Sequence, residues 1–172
     1  ERACGQCLAC NWFSQGNHPD FRLLQPESLS AENEGVEEGK KKPSQQIVIE
    51  QIRALDEFLG VGSHRNGLSI VLVNPAEAMN KNAANSILKT LEEPPPNTLF
   101  LLVSSEPSRL LPTIRSRCQS VPIGLPPVAL AQRVLAEAGI SSPERWLALA
   151  GGAPRLACEL ASSTQAAWMD TL

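Results

Sequence analysis

The stretch LSIVLVNPAEAMNKNAANSILKTLEEPPPNTLFLLV, residues 68–103, decides the fold of this chain. Residues 68–73 and 99–103 are continuous apolar runs with the length and composition of buried strands in a parallel sheet. Between them, apolar side chains from Met79 to Leu91 recur on one face of a helix, which predicts a helix over residues 76–92. The prolines that follow must end this helix. A strand, a helix and a strand in this order predict a right-handed parallel crossover.

The segments that flank this unit extend the α/β pattern in both directions. In these segments, apolar residues alternate with polar ones where we predict a strand, and they recur every three to four residues where we predict a helix. The further predicted elements are a strand stub at Ile47 and Ile49, a helix carrying Ile52, Leu55 and Leu59, a short helix over residues 109–118 and an edge strand over residues 121–123. Residues 21–24 are a short strand candidate at the end of a separate, turn-rich module over residues 1–26. The sequence therefore predicts an α/β fold with a parallel sheet and flanking helices, which ends near residue 126.

The last third of the chain predicts a small helical bundle. Short helices punctuated by glycines are expected over residues 128–138, 143–150 and 154–161. Cys158 falls in the apolar pattern of the third helix, where the expected role is that of a buried small hydrophobe. We therefore expect a helical part after the sheet.

The composition excludes several classes of protein. The 172 residues contain 15 Lys and Arg against 18 Asp and Glu, and the net charge of -3 argues against a uniformly basic surface for nucleic acid. Aromatic residues make up only 4%, too few for a base-stacking platform. No apolar stretch approaches the roughly 18 residues that a membrane span needs, and the first residues do not form a signal peptide. We expect a cytoplasmic protein without a membrane partner.

A cysteine cluster near the start of the chain is a candidate metal site. Its members are spaced C-x2-C-x2-C: Cys4, Cys7 and Cys10. Three thiolates at this spacing favour a structural zinc ion, whose fourth ligand would be His18, Asp20 or a Cys upstream of residue 1. An iron-sulfur cluster is an alternative, although ferredoxin-like runs continue with a Cys where this chain has Phe13. Free or disulfide-bonded cysteines are the other alternative, which a cytosolic setting disfavours.

The chain lacks the residues that hydrolyse ATP in parallel α/β proteins. No Gly-x4-Gly-Lys-Ser/Thr loop, which would cradle phosphates, occurs in the 172 residues. An ATPase also needs carboxylates at the end of a buried strand to hold magnesium, and this strand runs instead into Asn74 and Pro75. The sequence therefore predicts no intrinsic ATP hydrolysis.

Three motifs carry a resemblance to a known family. They are SILKTLEEPP at residues 86–95, FLLVSSEP at residues 100–107 and IRSRC at residues 114–118. In this order and spacing they closely resemble the AAA+ clamp-loader subunits of bacterial DNA polymerase III. The cysteine cluster, the His18-Pro19-Asp20 segment and the Asn74-Pro75 pair resemble a non-motor member, because the gamma/tau motor subunits keep an acidic pair at the last position.

The resemblance implies an AAA+ domain of which this chain carries only a part. Its N-terminal part and a C-terminal collar domain are expected to lie outside the chain. The implied regions are a zinc-binding module inserted in the AAA+ domain at residues 1–26, a flexible charged loop at residues 27–46, the remaining α/β domain at residues 47–125, a helical lid domain at residues 126–163 and the start of a truncated C-terminal region at residues 164–172.

The resemblance also implies roles for individual residues. Arg117 matches the arginine finger, which reaches the ATP site of a neighbouring motor subunit, whereas an ordinary pair with a surface carboxylate is the alternative. Ser105 and Arg155 match the two sensor positions, and both are candidate relics because no phosphate loop is present. The cysteines match a zinc module whose fourth Cys would precede residue 1.

The implied function is that of a non-hydrolysing subunit of the sliding-clamp loader in DNA replication, within the polymerase holoenzyme. Its implied partners are the gamma/tau and delta subunits, with the sliding clamp and primer-template DNA contacted mainly through the complex. Two alternatives remain open at this point. One is a truncated but independent AAA+ ATPase, and the other is a zinc-dependent nucleic-acid-binding module.

Overall fold

The computed structural model describes residues 3–30, 42–62 and 67–163. The chain forms two compact units, Glu1–Ser120 and Val121–Leu172. Each unit has its own hydrophobic core, and each is described here by itself.

The first unit is an α/β structure built on a parallel sheet. Its helices and strands, in chain order, are α1 (Leu8–Ser14), β1 (Phe21–Leu24), α2 (Ile49–Val61), β2 (Ser69–Val73), α3 (Lys81–Glu92), β3 (Thr98–Leu102) and α4 (Pro112–Arg115). Strand β2 lies between β1 and β3 and is parallel to both, with Val71 opposite Arg22 and Phe100. The predicted α/β class, the central position of β2 and the β2-α3-β3 order are confirmed. Strand β1, which follows the cysteine-rich segment, is part of this sheet.

The core of the first unit lies on one face of this sheet. Alternate residues of β2, Val71 and Val73, are fully buried, as are Ile52 of α2 and Ile87 of α3. These side chains form one cluster, to which α4 contributes Ile114. The cluster therefore ties α3, β2 and α4 together in one rigid body of packed aliphatic side chains.

The long helix predicted over residues 76–92 is wrong at its N-terminal end. A 3-10 turn, Ala76–Ala78, comes first, and α3 begins only at Lys81. The Asn80 side chain caps the helix, since its Oδ1 accepts a hydrogen bond of 2.8 Å from the backbone N–H of Ala83. Met79 instead forms an isolated parallel bridge with Ile47. Pairing with a distant segment therefore overrides the helical periodicity in this turn.

Three other predicted elements also differ from the structure. The strand stub is reduced to the single bridge at Ile47, because Ile49 already begins α2. The helix predicted over residues 109–118 is divided into a 3-10 turn, Pro107–Arg109, and the short α4. No edge strand forms at residues 121–123, where Ile123 is 95% exposed. Pro122 has no N–H to donate to a strand ladder, which accounts for this last error.

The second unit is a bundle of short helices, as predicted. They are α5 (Val128–Glu137), α6 (Pro143–Leu149) and α7 (Pro154–Ser162). Leu135 and Ala157 are fully buried in their shared core, beside Trp146. Cys158 is half-buried against this core, close to its expected role as a small hydrophobe. Across the described ranges, no helix is both long and apolar enough to cross a membrane.

Two of the predicted regions fall wholly or partly outside the described residues. Residues 31–41 of the expected charged loop and residues 164–172 of the expected C-terminal region belong to this part of the chain. The described flank of the loop is ordered by a hydrogen bond of 3.0 Å from the backbone N–H of Ser44 to Glu27 Oε2.

The capped start of α3 gives a direct prediction. Replacing Asn80 with Ala should lower the free energy of unfolding of the full-length protein by about 1 kcal/mol, because the N–H of Ala83 loses its acceptor. Asn82 is the matched control, since it is exposed inside the same helix, where Ala is the better helix former. Urea denaturation of both variants measures the difference. Equal stability of the Asn80→Ala and Asn82→Ala proteins would contradict the helix start at Lys81.

Candidate functional site

The guanidinium of Arg117 is held near the end of α4 by hydrogen bonds that it donates to Glu92, Thr113 and Ser116. Its Nε donates to Glu92 Oε1 at 2.7 Å, and its Nη2 forms an ion pair with the same oxygen. Its Nη1 donates to the backbone carbonyl of Thr113 at 2.8 Å and lies 3.4 Å from Ser116 Oγ. The group is thus fixed by a carboxylate on one edge and by the α4 backbone on the other.

The local fold explains why these groups meet. Glu92 is the last residue of α3, and the prolines after it prevent the helix from continuing. Arg117 lies two residues beyond the end of α4, and its backbone N–H donates to the carbonyl of Ile114 at 3.0 Å. Ile114 of α4 is buried in the same cluster as Ile87 of α3. The shared core therefore brings the end of α3 to the end of α4.

The Arg117–Glu92 pair is accessible to solvent. The side chain of Arg117 is 30% exposed and that of Glu92 is 49% exposed. Pairing with a surface carboxylate, the alternative considered for Arg117, is therefore what this structure contains. An exposed ion pair of this kind contributes little to the stability of the fold. Its main consequence is the position of the guanidinium.

Ser105, the first sensor-like residue, is bound to a carboxylate of its own chain. Its hydroxyl donates to Glu77 Oε1 at 2.8 Å and its backbone N–H donates to the same atom at 3.2 Å. Glu77 lies in the 3-10 turn after β2, two residues beyond Pro75. The turn after β2 and the loop after β3 are thereby joined at the same edge of the sheet.

Glu77 is ionised at neutral pH. Burial raises its pKa, but hydrogen bonds from the Ser104 side chain, from its own backbone and from Ser105 outweigh burial and lower the pKa to about 2. A phosphate oxygen at Ser105 would have to displace this carboxylate and would meet its negative charge. The carboxylate would therefore oppose the binding of a phosphate at Ser105.

Arg155, the second sensor-like residue, lies in the second unit. It is near the start of α7, where its Nε donates to Glu159 Oε1 at 3.1 Å. The two residues are one helical turn apart, and the Arg155 side chain is 93% exposed. This is the geometry of an ordinary surface pair on a helix.

The cysteine cluster predicted from the sequence is assembled in the structure. The Sγ atoms of its members all lie within 4.8 Å of one another: Cys4, Cys7 and Cys10. The separations are 3.5 Å between Cys7 and Cys10 and 3.9 Å between Cys4 and Cys10. Gly5 makes this possible, since its φ of 72° lets the chain turn back between the first two cysteines.

The cluster fits a metal that prefers thiolates. Zinc binds sulfur at about 2.3 Å, so a tetrahedral site places its sulfurs roughly 3.8 Å apart, close to the separations observed. Backbone hydrogen bonds from Gln6 and Cys7 lower the pKa of Cys4 to about 7, which favours the thiolate that binds metal. The side-chain hydrogen bond with Cys7 raises the pKa of Cys10. Cys4, Cys7 and Cys10 could therefore bind a metal ion.

The two downstream candidates for a fourth ligand do not join this cluster. Within the described ranges, the group that could hold a metal contains neither His18 nor Asp20. The Nδ1 atom of His18 accepts a hydrogen bond of 3.1 Å from the backbone N–H of Asp20, and Asp20 is buried. These two residues thus stabilise the turn before β1, and the fourth ligand is not one of the residues that the structure brings together here.

Sequence reasoning assigned no role to Glu77 or Glu92. Each contacts a predicted site residue that is far away along the chain, at a separation of 28 residues for Glu77 and 25 for Glu92. Glu92 lies within the SILKTLEEPP motif, but a motif does not reveal which side chain its carboxylate meets. Only the packing of α3 against α4 identifies that partner.

Comparison with known proteins identifies the family. A family profile described as "DNA polymerase III, delta subunit" matches residues 1–126. The DNA polymerase III subunit delta' of Pseudomonas aeruginosa is 43% identical over 162 residues, which cover 92% of this chain and 45% of that protein. Subunit delta' of Escherichia coli is 34% identical over 92% of this chain and 44% of its own length.

A solved structure shares the fold. It is a DNA polymerase III gamma subunit-related protein from Thermotoga maritima, which superposes with a TM-score of 0.58 at 25% sequence identity. The alignment covers 88% of this chain and 56% of that one. The chain spans about half the length of the curated relatives it matches. On the family profile and these relatives, the chain belongs to the delta-prime subunit family of DNA polymerase III.

Proposed function

We propose that this chain is part of a non-hydrolysing subunit of the sliding-clamp loader and that it donates Arg117 to the ATP site of a neighbouring subunit. Membership of the delta-prime family supports the clamp-loader role. The observation that carries the finger role is the guanidinium of Arg117, which is held at the end of α4 and remains 30% exposed. A cation that is both held and accessible suits an active site completed by another subunit.

The chemistry that Arg117 would assist takes place wholly in the neighbouring subunit. There the oxygen of a water molecule forms a bond to the γ-phosphorus, and the bond from that phosphorus to the βγ-bridging oxygen breaks. The leaving ADP keeps the bonding electrons, and the attacking water loses a proton. Arg117 takes part in no covalent step, since its positive charge only stabilises the negative charge on the phosphate oxygens in the transition state.

The same proposal includes the absence of ATP hydrolysis by this subunit itself. Asn74 and Pro75 stand where magnesium-binding carboxylates would follow β2. Glu77, the carboxylate that follows in the next turn, is already bound to Ser105. Its negative charge disfavours a nucleotide γ-phosphate at that position. These features argue against the alternative of an independent AAA+ ATPase.

The architecture of the proposed subunit follows the AAA+ plan. The proposed regions are a zinc module at residues 1–26, a charged loop at residues 27–46, the α/β domain at residues 47–125, a lid at residues 126–163 and the start of a further region at residues 164–172. Strand β1, at the end of the first region, pairs with β2 of the α/β domain. The proposed partners are the gamma/tau and delta subunits. With a net charge of -3, the chain is expected to meet primer-template DNA mainly through the complex, as it meets the sliding clamp.

A structural zinc ion completes the proposal. Cys4, Cys7 and Cys10 would hold it through their thiolates, and zinc bound in this way fixes a short segment that has no buried residue in its helix α1. The ion would have no catalytic part. The same cluster on a basic chain would favour a nucleic-acid-binding module, but the acidic composition of this chain argues against that alternative.

The finger role predicts a specific catalytic defect. In a loader reconstituted from full-length subunits, Arg117→Ala should slow hydrolysis at one neighbouring ATP site by about 10³-fold or more, because the transition-state charge loses its cation. The measurement is the number of ATP molecules hydrolysed per loader in a rapid-quench burst with DNA and clamp. Arg133→Ala, which removes a 70% exposed arginine from α5, is the matched control. An unchanged burst in an assembled Arg117→Ala loader would contradict the finger role.

The lack of intrinsic hydrolysis gives a second prediction. The purified full-length subunit should show no steady ATP turnover. Asn74 and Pro75 replace the magnesium-binding carboxylates directly after β2, and the hydroxyl of Ser105 is already bound to Glu77. A gamma/tau motor subunit assayed in parallel serves as the positive control. Steady turnover that disappears in a Ser105→Ala variant would contradict the prediction, because it would locate an active ATP site in this subunit.

The zinc site gives a third prediction. Metal analysis of the full-length protein should find about one zinc per chain. Cys7→Ser should remove the metal, because a hydroxyl is a poor zinc ligand at neutral pH, whereas Cys158→Ser in α7 should retain it. A folded, metal-free protein would exclude the zinc site, and the visible absorbance of an iron-sulfur cluster would replace it with the alternative.

A further inference from the structure

We infer that Glu92 is a positioning residue for Arg117: it holds the guanidinium in the orientation in which the neighbouring ATP site receives it. This inference rests on the proposed function and adds to it a second residue of this chain. Glu92 would touch neither ATP nor water, and it would act only through Arg117.

The pattern of hydrogen bonds supports positioning. A guanidinium is planar, so acceptors on two of its sides together fix the direction of that plane. Nε and Nη2 of Arg117 share Glu92 Oε1 on one side. On the other side of the group, Nη1 is bound to the carbonyl of Thr113. The three nitrogens therefore all have acceptors, and rotation of the group would break at least one hydrogen bond.

Both ends of the pair rest on rigid structure. Glu92 ends α3, whose Ile87 is fully buried, and Arg117 follows α4, whose Ile114 is almost fully buried in the same cluster. Arg117 lies near the start of the irregular segment 116–127, where its backbone N–H is still bound to the carbonyl of Ile114 at 3.0 Å. Because the core defines the distance between the two helix ends, Glu92 can impose one conformation on the long arginine side chain before a neighbour is present.

The pair leaves the guanidinium able to act. Among residues 3–30, 42–62 and 67–163, Glu92 is the one acceptor bound to Nη2, an atom that carries two N–H bonds. The Arg117 side chain is also only partly covered. A phosphate from another subunit could therefore add to the existing hydrogen bonds without replacing them. A guanidinium has five N–H groups, so an arginine whose three nitrogens each have one acceptor can still donate a further hydrogen bond.

The opposite role would be a restraint, in which Glu92 competes with the phosphate for Arg117. The two roles predict opposite changes in the rate of hydrolysis when the carboxylate is removed. A restraint predicts faster hydrolysis when the carboxylate is removed, because the cation is released, whereas positioning predicts slower hydrolysis. The retained Thr113 bond and the single oxygen used by Glu92 favour positioning.

The test uses the reconstituted loader with full-length subunits and follows hydrolysis at the one site next to this subunit. Glu92→Ala should slow that site roughly tenfold to a hundredfold, the loss expected when a catalytic group is misplaced by about 1 Å. Glu92→Gln should lose less, because its amide oxygen can still accept from Nε. Glu93→Ala is the matched control, since Glu93 is the adjacent, exposed glutamate of the same motif.

Three further readouts separate positioning from a structural role. The effect should fall on kcat, with the ATP KM of the site changed by less than about twofold, because Arg117 acts in the transition state. In an Arg117→Ala background, Glu92→Ala should cause no further loss. Gel filtration should show intact assembly for Glu92→Gln, which keeps the size and shape of the native side chain.

Each outcome of these measurements either supports positioning by Glu92 or overturns it. If Arg117→Ala slows the site and both Glu92 variants match wild type, positioning is wrong and the finger role stands. If Arg117→Ala itself changes nothing, the proposed function fails and the inference fails with it. Faster hydrolysis by Glu92→Ala, a change in KM alone, or an equal loss with Glu93→Ala would also overturn positioning. A loss of kcat that is confined to Glu92 and absent without Arg117 would support it.

Discussion

The packing of α3 against α4 is the constraint on which the rest of the first unit depends. Ile87 of α3 is fully buried in the cluster that also contains Val71 of β2 and Ile114 of α4. This contact determines where α3 ends relative to α4. The position of Glu92 beside Arg117 follows from it, so an apolar contact in the core sets the geometry of a polar pair at the surface.

The two carboxylates that contact Arg117 and Ser105 have different consequences. Glu92 meets a cation, and an arginine that is already paired on one edge can still donate from its other N–H groups. Glu77 meets the hydroxyl of Ser105 and is held ionised by hydrogen bonds, with a pKa of about 2. The first arrangement preserves a group that can serve another subunit. The second arrangement occupies the hydroxyl of Ser105, which under the proposed function has no nucleotide of its own to bind.

The sequence predicts those features whose signal is local. Strands β2 and β3 lie within one residue of the predicted runs, because continuous β-branched and apolar segments favour strands of a parallel sheet. The predicted burial holds for alternate residues of β2, whereas β3 has no buried residue. The metal-binding spacing of Cys4, Cys7 and Cys10 is equally local, and the structure brings their Sγ atoms together. Contacts between distant residues were not predicted. Because Met79 pairs with Ile47, α3 begins at Lys81 and not at residue 76. The Glu92–Arg117 pair likewise joins residues that are 25 positions apart in the sequence.

The central claim is that Arg117 acts on a nucleotide held by another subunit. The most direct test is the number of ADP–aluminium fluoride groups, which mimic the transition state, that one assembled loader retains after gel filtration. The account predicts that the loader containing Arg117→Ala retains one fewer than the wild-type loader, because one site loses the cation that stabilises the analogue. Equal numbers on the two loaders would contradict the claim and leave Arg117 as one half of a surface ion pair.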